Sequence, residues 1–211
     1  MNKLNPVVGC LRGCTYCYAM KVHKKRHKEY LKGKLQNYPQ YAKPFNILQY
    51  FPERLKTIPK NPKRYKKIFM NSVSDIFYWQ DRWLIDTLGM CSERQNIDFM
   101  FCTKSVEVYD KRYWSKNCQL GVTLTGKEHS DKYNYVLKHH PNNYKFASIE
   151  PLLDNIEFDL SIFDLIIVGA DSSKNPIIPK KDWIQSIEHP NIHYKKNIKV
   201  FINDNNSTII S

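Results

Sequence analysis

Short apolar runs, each followed by polar residues, recur along the chain from residue 67 onward. The runs are KIFMNSVSD (67–75), IDFMFCTKS (97–105), CQLGVTLTG (118–126), YKFASIEPLL (144–153), DLIIVGADSS (164–173) and IKVFINDN (198–205). Several are apolar for four or five residues in succession, as buried strands of a parallel sheet are. Helix-like segments such as DRWLIDTLGMCSERQ and SDKYNYVLKHH separate most of them. This alternation predicts βα units and a parallel sheet.

The segment NPVVGC (5–10) is predicted to be an opening strand, which brings the count to about seven. We therefore expect an α/β fold, a partial or near-complete (β/α) barrel of about six or seven parallel strands. The length of 211 residues suits a single domain over 1–211. A region rich in proline and lysine at about 32–66 is predicted to form loops around one short helix, NILQYFPERL.

Polar side chains follow the apolar part of each run. They are Ser72, Ser74 and Asp75; Thr103 and Lys104; Thr123 and Thr125; Glu150; Asp171 and Ser172; and Asn203 and Asp204. A barrel builds its site from the carboxyl ends of its strands, so this repetition predicts one shared site. The alternative is ordinary turn chemistry, because Ser, Thr and Asp are common where strands end.

The net charge of +13 is concentrated in the first third of the chain. Residues 1–70 hold 17 Lys and Arg against two acidic residues, whereas residues 71–211 hold 16 against 18. The basic stretches Lys21–Lys34 and Lys56–Lys67 favour nucleic acid as a partner. A solvated basic face, a membrane surface or another acidic partner are the alternatives. Aromatic residues interleave with this region and are candidates for stacking on bases: Tyr38, Tyr41, Phe45, Tyr50 and Phe51.

No run approaches the roughly 20 apolar residues needed to cross a bilayer, and no secretory apolar core begins the chain. We therefore expect a cytoplasmic protein. In a reducing compartment, clustered cysteines favour metal binding or catalysis over disulfides.

Three cysteines, Cys10, Cys14 and Cys17, form the pattern CxxxCxxC within CLRGCTYC. Thiolates on so short a loop can hold three corners of an Fe–S cluster, which normally takes four. The remaining iron is then open to a small molecule. Gly9 and Gly13 give the loop the freedom to curl. The alternatives are a zinc site with His23 or His27 as fourth ligand, or cysteines without a ligand.

CLRGCTYC resembles the cluster motif of the radical SAM superfamily, CxxxCx(aromatic)C. The segments NPVVGC, GCTYCYA, FMNSVSDIF, FCTKS, LGVTL, SIEPLL and IIVGADS, in that order, look like a radical SAM family of bacteriophages and bacteria. That family is similar to spore photoproduct lyase, a DNA repair enzyme. The similarity runs from about residue 5 to residue 202. One departure is visible, since an aromatic-Lys-Gln-Trp segment expected near the C-terminus appears here as VFINDN.

The resemblance implies a 4Fe–4S cluster and S-adenosylmethionine as cofactors, with Cys10, Cys14 and Cys17 as metal ligands. It implies reductive cleavage of S-adenosylmethionine to a 5′-deoxyadenosyl radical, which abstracts hydrogen from a substrate. It further implies a reductant such as ferredoxin or flavodoxin, and a bacterial host cell or its phage as the source. With the charge pattern, it predicts nucleic acid or a nucleotide as substrate, to be modified or repaired. A protein or small-molecule substrate, and a non-enzymatic basic module with a structural metal, are the alternatives.

Strand position also suggests how cofactor contacts are divided. Tyr16 is predicted to shield the cluster or contact adenine, Ser72, Ser74 and Asp75 to bind the methionine amino group, and Thr103 and Lys104 to lie by its carboxylate. Thr123 is a candidate for the ribose, Glu150 for cofactor hydroxyls or substrate, and Asp171 with Ser172 for a further contact. The alternatives are a helix N-cap for Asp75, a structural ion pair for Glu150 and turn roles for the others.

Tyr18 is predicted to pack at the cluster with Tyr16. The scattered Cys91, Cys102 and Cys118 are predicted to be small buried apolar groups. A hydrogen-donor role for one of them is the alternative.

Overall fold

The computed structural model describes residues 2–58, 66–126, 130–157, 159–173 and 175–203, and of residues 130–132 and 203 only the backbone. Nine strands are described: β1 Asn2–Lys3, β2 Val7–Val8, β3 Gln49–Tyr50, β4 Lys67–Phe69, β5 Asp98–Thr103, β6 Cys118–Leu124, β7 Lys145–Ile149, β8 Leu165–Val168 and β9 Ile192–Tyr194. The helices are α1 Tyr18–Leu31, α2 Asp81–Ser92, α3 Ser130–Lys138, α4 Lys181–Gln185 and α5 Lys196–Asn203. Four 3₁₀ segments connect them: Pro39–Tyr41, Pro52–Thr57, Ile76–Tyr78 and Val106–Lys111.

Seven of these strands form one sheet in the order β1-β4-β5-β6-β7-β8-β9, and every pair in it is parallel. The sheet curls into a half-barrel, so the predicted α/β partial barrel is confirmed. The central strands β5 and β6 are buried at all but one residue each, because both faces of the sheet are covered. Within the described ranges, no helix is long and apolar enough to cross a membrane.

The core around β6 is close-packed. The Tyr109 hydroxyl donates to the Gly121 carbonyl at 2.7 Å and accepts from its N–H at 3.1 Å. A Cβ at Gly121 would lie 2.1 Å from the Phe146 ring and 2.6 Å from the Phe101 carbonyl oxygen. Only glycine fits at this point of β6.

Five of the seven predicted barrel strands are present, but the first and last predictions are wrong. Residues Val7–Val8 of NPVVGC pair antiparallel with Gln49–Tyr50 as a separate two-stranded sheet, and Asn2–Lys3 is the first barrel strand. The run IKVFINDN is helical through Asn203, with residues 204–205 outside the described part, and Ile192–Tyr194 is the last barrel strand. The predicted helix NILQYFPERL is instead β3 followed by the 3₁₀ segment Pro52–Thr57.

The side chains of Met20, Tyr30 and Leu31 on helix α1 are not fully buried. Leu31 is exposed, and the buried residue of the helix is His23. The His23 ring lies 5.3 Å from the Tyr41 ring and 5.2 Å from the Phe45 ring, and its Nε2 lies 2.9 Å from the Lys43 carbonyl oxygen. The outward face of α1 is left to its lysines.

Candidate functional site

A cavity of about 380 Å³ lies at the carboxyl ends of the sheet, and every barrel strand contributes to it. At or just beyond the strand ends, the wall includes Lys3, Phe69, Thr103, Thr123, Ser148, Ala170 and Lys195. The cavity brings together the cysteine motif and nearly all the predicted polar residues: Cys10, Cys14, Cys17, Tyr16, Ser72, Ser74, Asp75, Thr103, Lys104, Thr123, Glu150, Asp171 and Ser172. Thr125 does not line it, Asn203 lies in α5, and Asp204 is outside the described residues.

The cysteine loop is held against the body of the protein by backbone hydrogen bonds. The Cys10 N–H donates to the Phe45 carbonyl at 2.8 Å, and the Gly9 N–H donates to the Val73 carbonyl at 3.2 Å. Gly9 has φ of +108°, and a Cβ there would lie 2.6 Å from the Ile47 carbonyl oxygen. Cys17 is the N-cap of α1, where its Sγ accepts from the Met20 N–H at 3.3 Å.

The three thiols of the motif line the same cavity. Burial raises the pKa of the Cys10 thiol, and the charges of Asp75, Cys17 and Cys14 raise it further. Among the residues described, no group of three or more His, Cys, Asp or Glu side chains is placed to hold a single metal ion. An Fe–S cluster holds several irons, so its thiolates attach at separate corners.

Asp75 accepts hydrogen bonds from several groups of the protein. Its Oδ1 accepts from the Phe77 N–H at 3.1 Å and the Thr103 hydroxyl at 2.5 Å. Its Oδ2 accepts from Arg12 Nε at 3.1 Å and the Lys104 N–H at 3.3 Å. Asp75 is the N-cap of the segment Ile76–Tyr78, which is the structural role weighed against cofactor binding. Thr103 supports this carboxylate through its hydroxyl.

Arg12 was not predicted as a site residue, yet it ties the cysteine loop to two strand ends. Besides Asp75, it donates from Nη2 to the Ser105 hydroxyl at 2.6 Å. Its guanidinium lies 5.4 Å from the centre of the Tyr78 ring and 6.0 Å from that of Phe77. A basic residue inside CLRGC, with an acid at the end of a strand, was the sequence signal that could have identified this pair.

Glu150 forms an ion pair with Lys195, which follows β9. The structural ion pair weighed against a binding role is therefore present, although both side chains also line the cavity. Lys195 had no sequence signal, because the strand before it was not predicted. A Cβ at Gly169 would lie 3.1 Å from Glu150 Cγ, so the glycine gives the carboxylate room.

The remaining predicted residues differ in how they are engaged. The Ser72 hydroxyl donates to Asn5 Oδ1 at 3.0 Å, and the Ser74 hydroxyl accepts from Trp79 Nε1 at 3.1 Å. Lys104 Nζ lies 5.4 Å from the centre of the Tyr16 ring.

Asp171 follows β8 and lines the cavity. Burial raises the pKa of its carboxyl, but hydrogen bonds from Ser173 and Ile177 outweigh that effect, and the net shift is downward. The Asp171 carboxylate is thus anionic at neutral pH.

The other cysteines divide into two kinds. Cys91 and Cys118 are fully buried in the main hydrophobic core, as predicted. Cys102 is also buried, but it reaches the cavity wall, where its Sγ lies 3.1 Å from Thr123 Oγ1. Burial raises the pKa of the Cys102 thiol to about 12, so it is a thiol at neutral pH.

The histidines proposed as zinc ligands lie elsewhere. His23 Nε2 contacts the Lys43 carbonyl, and His27 Nδ1 contacts the Tyr41 carbonyl at 2.7 Å. Neither lines the cavity of the cysteines. Both imidazoles serve to pack α1 against the segment that follows it.

The aromatic residues predicted to stack on bases are mostly engaged within the protein. Phe45 is buried, Tyr50 stacks on Trp83 at 5.3 Å, and Arg54 lies over Phe51. Tyr18, which was predicted to pack at the cluster, is 69% exposed and lines the cavity of the three cysteines. In the predicted basic stretch Lys56–Lys67, residues 59–65 lie outside the described part.

Comparison with known proteins gives one result. A family model described as protein of unknown function (DUF5131) matches residues 2–201. No curated protein and no solved structure matches the chain.

Proposed function

We propose a function from the site itself, because the chain belongs to DUF5131, a family of proteins of unknown function. Our proposal is that the protein is a radical SAM enzyme that acts on nucleic acid or a nucleotide. One observation carries the proposal. The three cysteines of CxxxCxxC line the same cavity as polar side chains from the ends of all the barrel strands. Sulfur ligands and a polar binding wall thus face one space.

In this proposal, Cys10, Cys14 and Cys17 hold a 4Fe–4S cluster and leave one iron to S-adenosylmethionine. When bound and reduced, the cluster supplies the electron that cleaves S-adenosylmethionine to methionine and a 5′-deoxyadenosyl radical. A ferredoxin or flavodoxin is the expected electron donor. The residues present fit the group, because each thiol reaches the cavity from a loop fixed at Gly9, Cys10 and Cys17.

In this proposal, the chain's own residues bind and orient S-adenosylmethionine, and they exclude water from the cavity. The cations Lys104 and Lys195 suit the carboxylate of the methionine moiety, and the carboxylates of Glu150 and Asp171 suit its amino group or the ribose hydroxyls. Asp75 acts differently from the role predicted for it, since its bonds to Arg12, Thr103 and Phe77 make it a positioning residue. The apolar side chains of Phe69, Pro151 and Ala170 complete the wall.

Charge supports nucleic acid as the substrate. The excess of basic residues lies in the first 70 residues, and α1, which begins directly after the cysteine loop, carries exposed lysines at Lys21, Lys24, Lys25 and Lys28. A phosphate backbone bound along this helix would lie beside the cavity.

The test is anaerobic reconstitution with iron and sulfide, followed by dithionite and S-adenosylmethionine. We expect a brown protein with about four irons per chain, and 5′-deoxyadenosine as product. Single replacements Cys10→Ala, Cys14→Ala and Cys17→Ala should each abolish the product. Cys91→Ala is the matched control, because Cys91 is buried away from the cavity. This variant should still form 5′-deoxyadenosine.

Two results would contradict the proposal. One is a well-loaded protein that yields no 5′-deoxyadenosine. The other is a protein that binds one zinc and no labile sulfide, which would favour a basic module with a structural metal.

A further inference from the structure

A second cavity, of about 200 Å³, lies between α1, the segment 40–45 and the two-stranded sheet. It shares four wall residues with the first cavity: Lys3, Tyr18, Ala19 and Ser72. The two spaces therefore adjoin, with Tyr18 at the boundary. Pockets that bind a whole drug-sized ligand have volumes of about 300–1,000 Å³, so the smaller second cavity suits one group of a larger molecule.

The charge of this cavity is of one sign. Lys3, Arg26 and Arg54 line it, and the described residues of its wall include no carboxylate. Three cations without an acid between them favour an anion. The first cavity differs, because it holds both cations and carboxylates.

Its two arginines are held in place by other parts of the chain. Arg54 donates to the Asn5 carbonyl at 2.8 Å and to Gln40 Oε1 at 3.0 Å, and it lies 4.3 Å from the centre of the Phe51 ring. Arg26 donates to the Tyr41 hydroxyl. A guanidinium has five N–H donors, so these bonds leave donors for a ligand while fixing the group. Phosphate oxygens match that fork.

Tyr18 supplies a flat surface at the boundary. It is the first residue of α1, directly after Cys17, and its exposed ring lines both cavities. Exposed aromatic rings beside cationic grooves are stacking surfaces for bases.

We propose that the second cavity binds the phosphate of a nucleotide unit, through Arg26, Arg54 and Lys3, while the base stacks on Tyr18. The unit is thereby presented to the first cavity. Its use as a substrate there rests on the proposed function, but the binding itself requires neither cluster nor S-adenosylmethionine.

The first experiment measures binding of a fluorescent single-stranded DNA pentamer by anisotropy, on protein with and without the reconstituted cluster. Arg26→Gln should raise Kd about tenfold, as for loss of a charged hydrogen bond, and should lower the salt slope by about 0.7. Arg82→Gln is the matched control. It makes the same change of side chain on the exposed face of another helix, α2, and lies outside both cavities, so its effect should be under threefold.

Three further variants distinguish the guanidinium fork of Arg54 from its charge, and the ring of Tyr18 from its hydroxyl. Arg54→Lys keeps the charge but loses the fork, and should weaken binding. Tyr18→Ala should weaken it, whereas Tyr18→Phe should not. Thermal unfolding of each variant shows whether it is folded. Equal effects of Arg26→Gln and Arg82→Gln would overturn the proposal, because binding would then follow diffuse charge.

Competition identifies the source of the phosphate. If adenosine monophosphate displaces the pentamer, the cavity accepts free nucleotides; if only oligonucleotides do, it reads a strand. Either result supports the site, and a protein that binds neither contradicts it. Because no cluster is needed, failure here leaves the test for 5′-deoxyadenosine unaffected.

Discussion

Arg12 and Arg82 each place Nε about 3 Å from an aspartate oxygen, yet the two pairs differ in burial. The Arg12–Asp75 pair has 23% and 10% of its side chains exposed, whereas the Arg82–Asp86 pair has 80% and 30% exposed. Arg12 also bonds Ser105. Only the first pair is placed to hold the cysteine loop.

We expect Arg12→Ala to lower the free energy of unfolding by about 2–3 kcal/mol, since it leaves a largely buried carboxylate with fewer donors. Arg82→Ala should cost less than about 0.5 kcal/mol, as exposed pairs within a helix do. Urea unfolding of both variants compares them directly. Similar losses would show that burial does not distinguish these pairs.

Gly121 lies so close to the Phe146 ring and the Phe101 carbonyl that no larger residue fits at this position. Gly121→Ala would place Cβ against the Phe146 ring and the Phe101 carbonyl, and the backbone atom cannot swing away. We expect a loss of about 1–3 kcal/mol, as for other overpacked sites.

Gly89, in α2, is the matched control, because a Cβ there would meet nothing within 4 Å. Gly89→Ala should stabilise the protein by about 0.5–1 kcal/mol through better helix propensity. Melting temperatures that move in the same direction for both variants would contradict this reading.

The sequence predicted which residues line the cavity where these residues directly follow an apolar run. The end of each central strand predicted Asp75, Thr103, Thr123, Glu150 and Asp171, and all line the cavity. Their bonding was not predictable, because it depends on partners such as Arg12 and Lys195 that lie more than 40 residues away in the chain.

At the scale of elements, the sequence was informative where strands are buried on both faces. Runs such as those of β5 and β6 are apolar throughout, and their type was predicted correctly. β1 has two residues, both exposed, and β9 has three that are exposed or half-buried, so neither strand gives a periodic signal. The run IKVFI is short and apolar, a case where helix and strand are not distinguished by pattern.

Helix α1 depends on an uncharged histidine, which gives it a pH response. Burial lowers the pKa of His23 below its ordinary value of 6.5, and burial does the same for His140. Below pH 6.5 the unfolded chain therefore binds more protons than the folded chain, and stability falls as the pH falls.

We expect His23→Gln to reduce the slope of unfolding free energy against pH between 6.5 and 5, because glutamine keeps a donor for the Lys43 carbonyl without titrating. Denaturant unfolding at several pH values gives the slopes. An unchanged slope for His23→Gln would rule out its role.

At the scale of the whole molecule, charge and architecture meet at one end of the sheet. The half-barrel gathers seven strand ends around the cysteines, and the basic first third of the chain supplies the loop and helix beside them. Composition predicted the charge, and strand order predicted the shared cavity. The second cavity was not predictable, because it forms where α1 packs against residues 40–45 through His23.

A curled sheet that does not close has two edge strands, and in this protein both are very short. In the part of the chain that the structure describes, the outermost strands are Asn2–Lys3 and Ile192–Tyr194, which offer two and three residues of open ladder to a neighbouring molecule. Edge strands this short are poor templates for the addition of a strand from another molecule. The half-barrel can therefore leave the cavity at its strand ends open to a large ligand, while edge-to-edge association with other copies of the chain stays unfavourable.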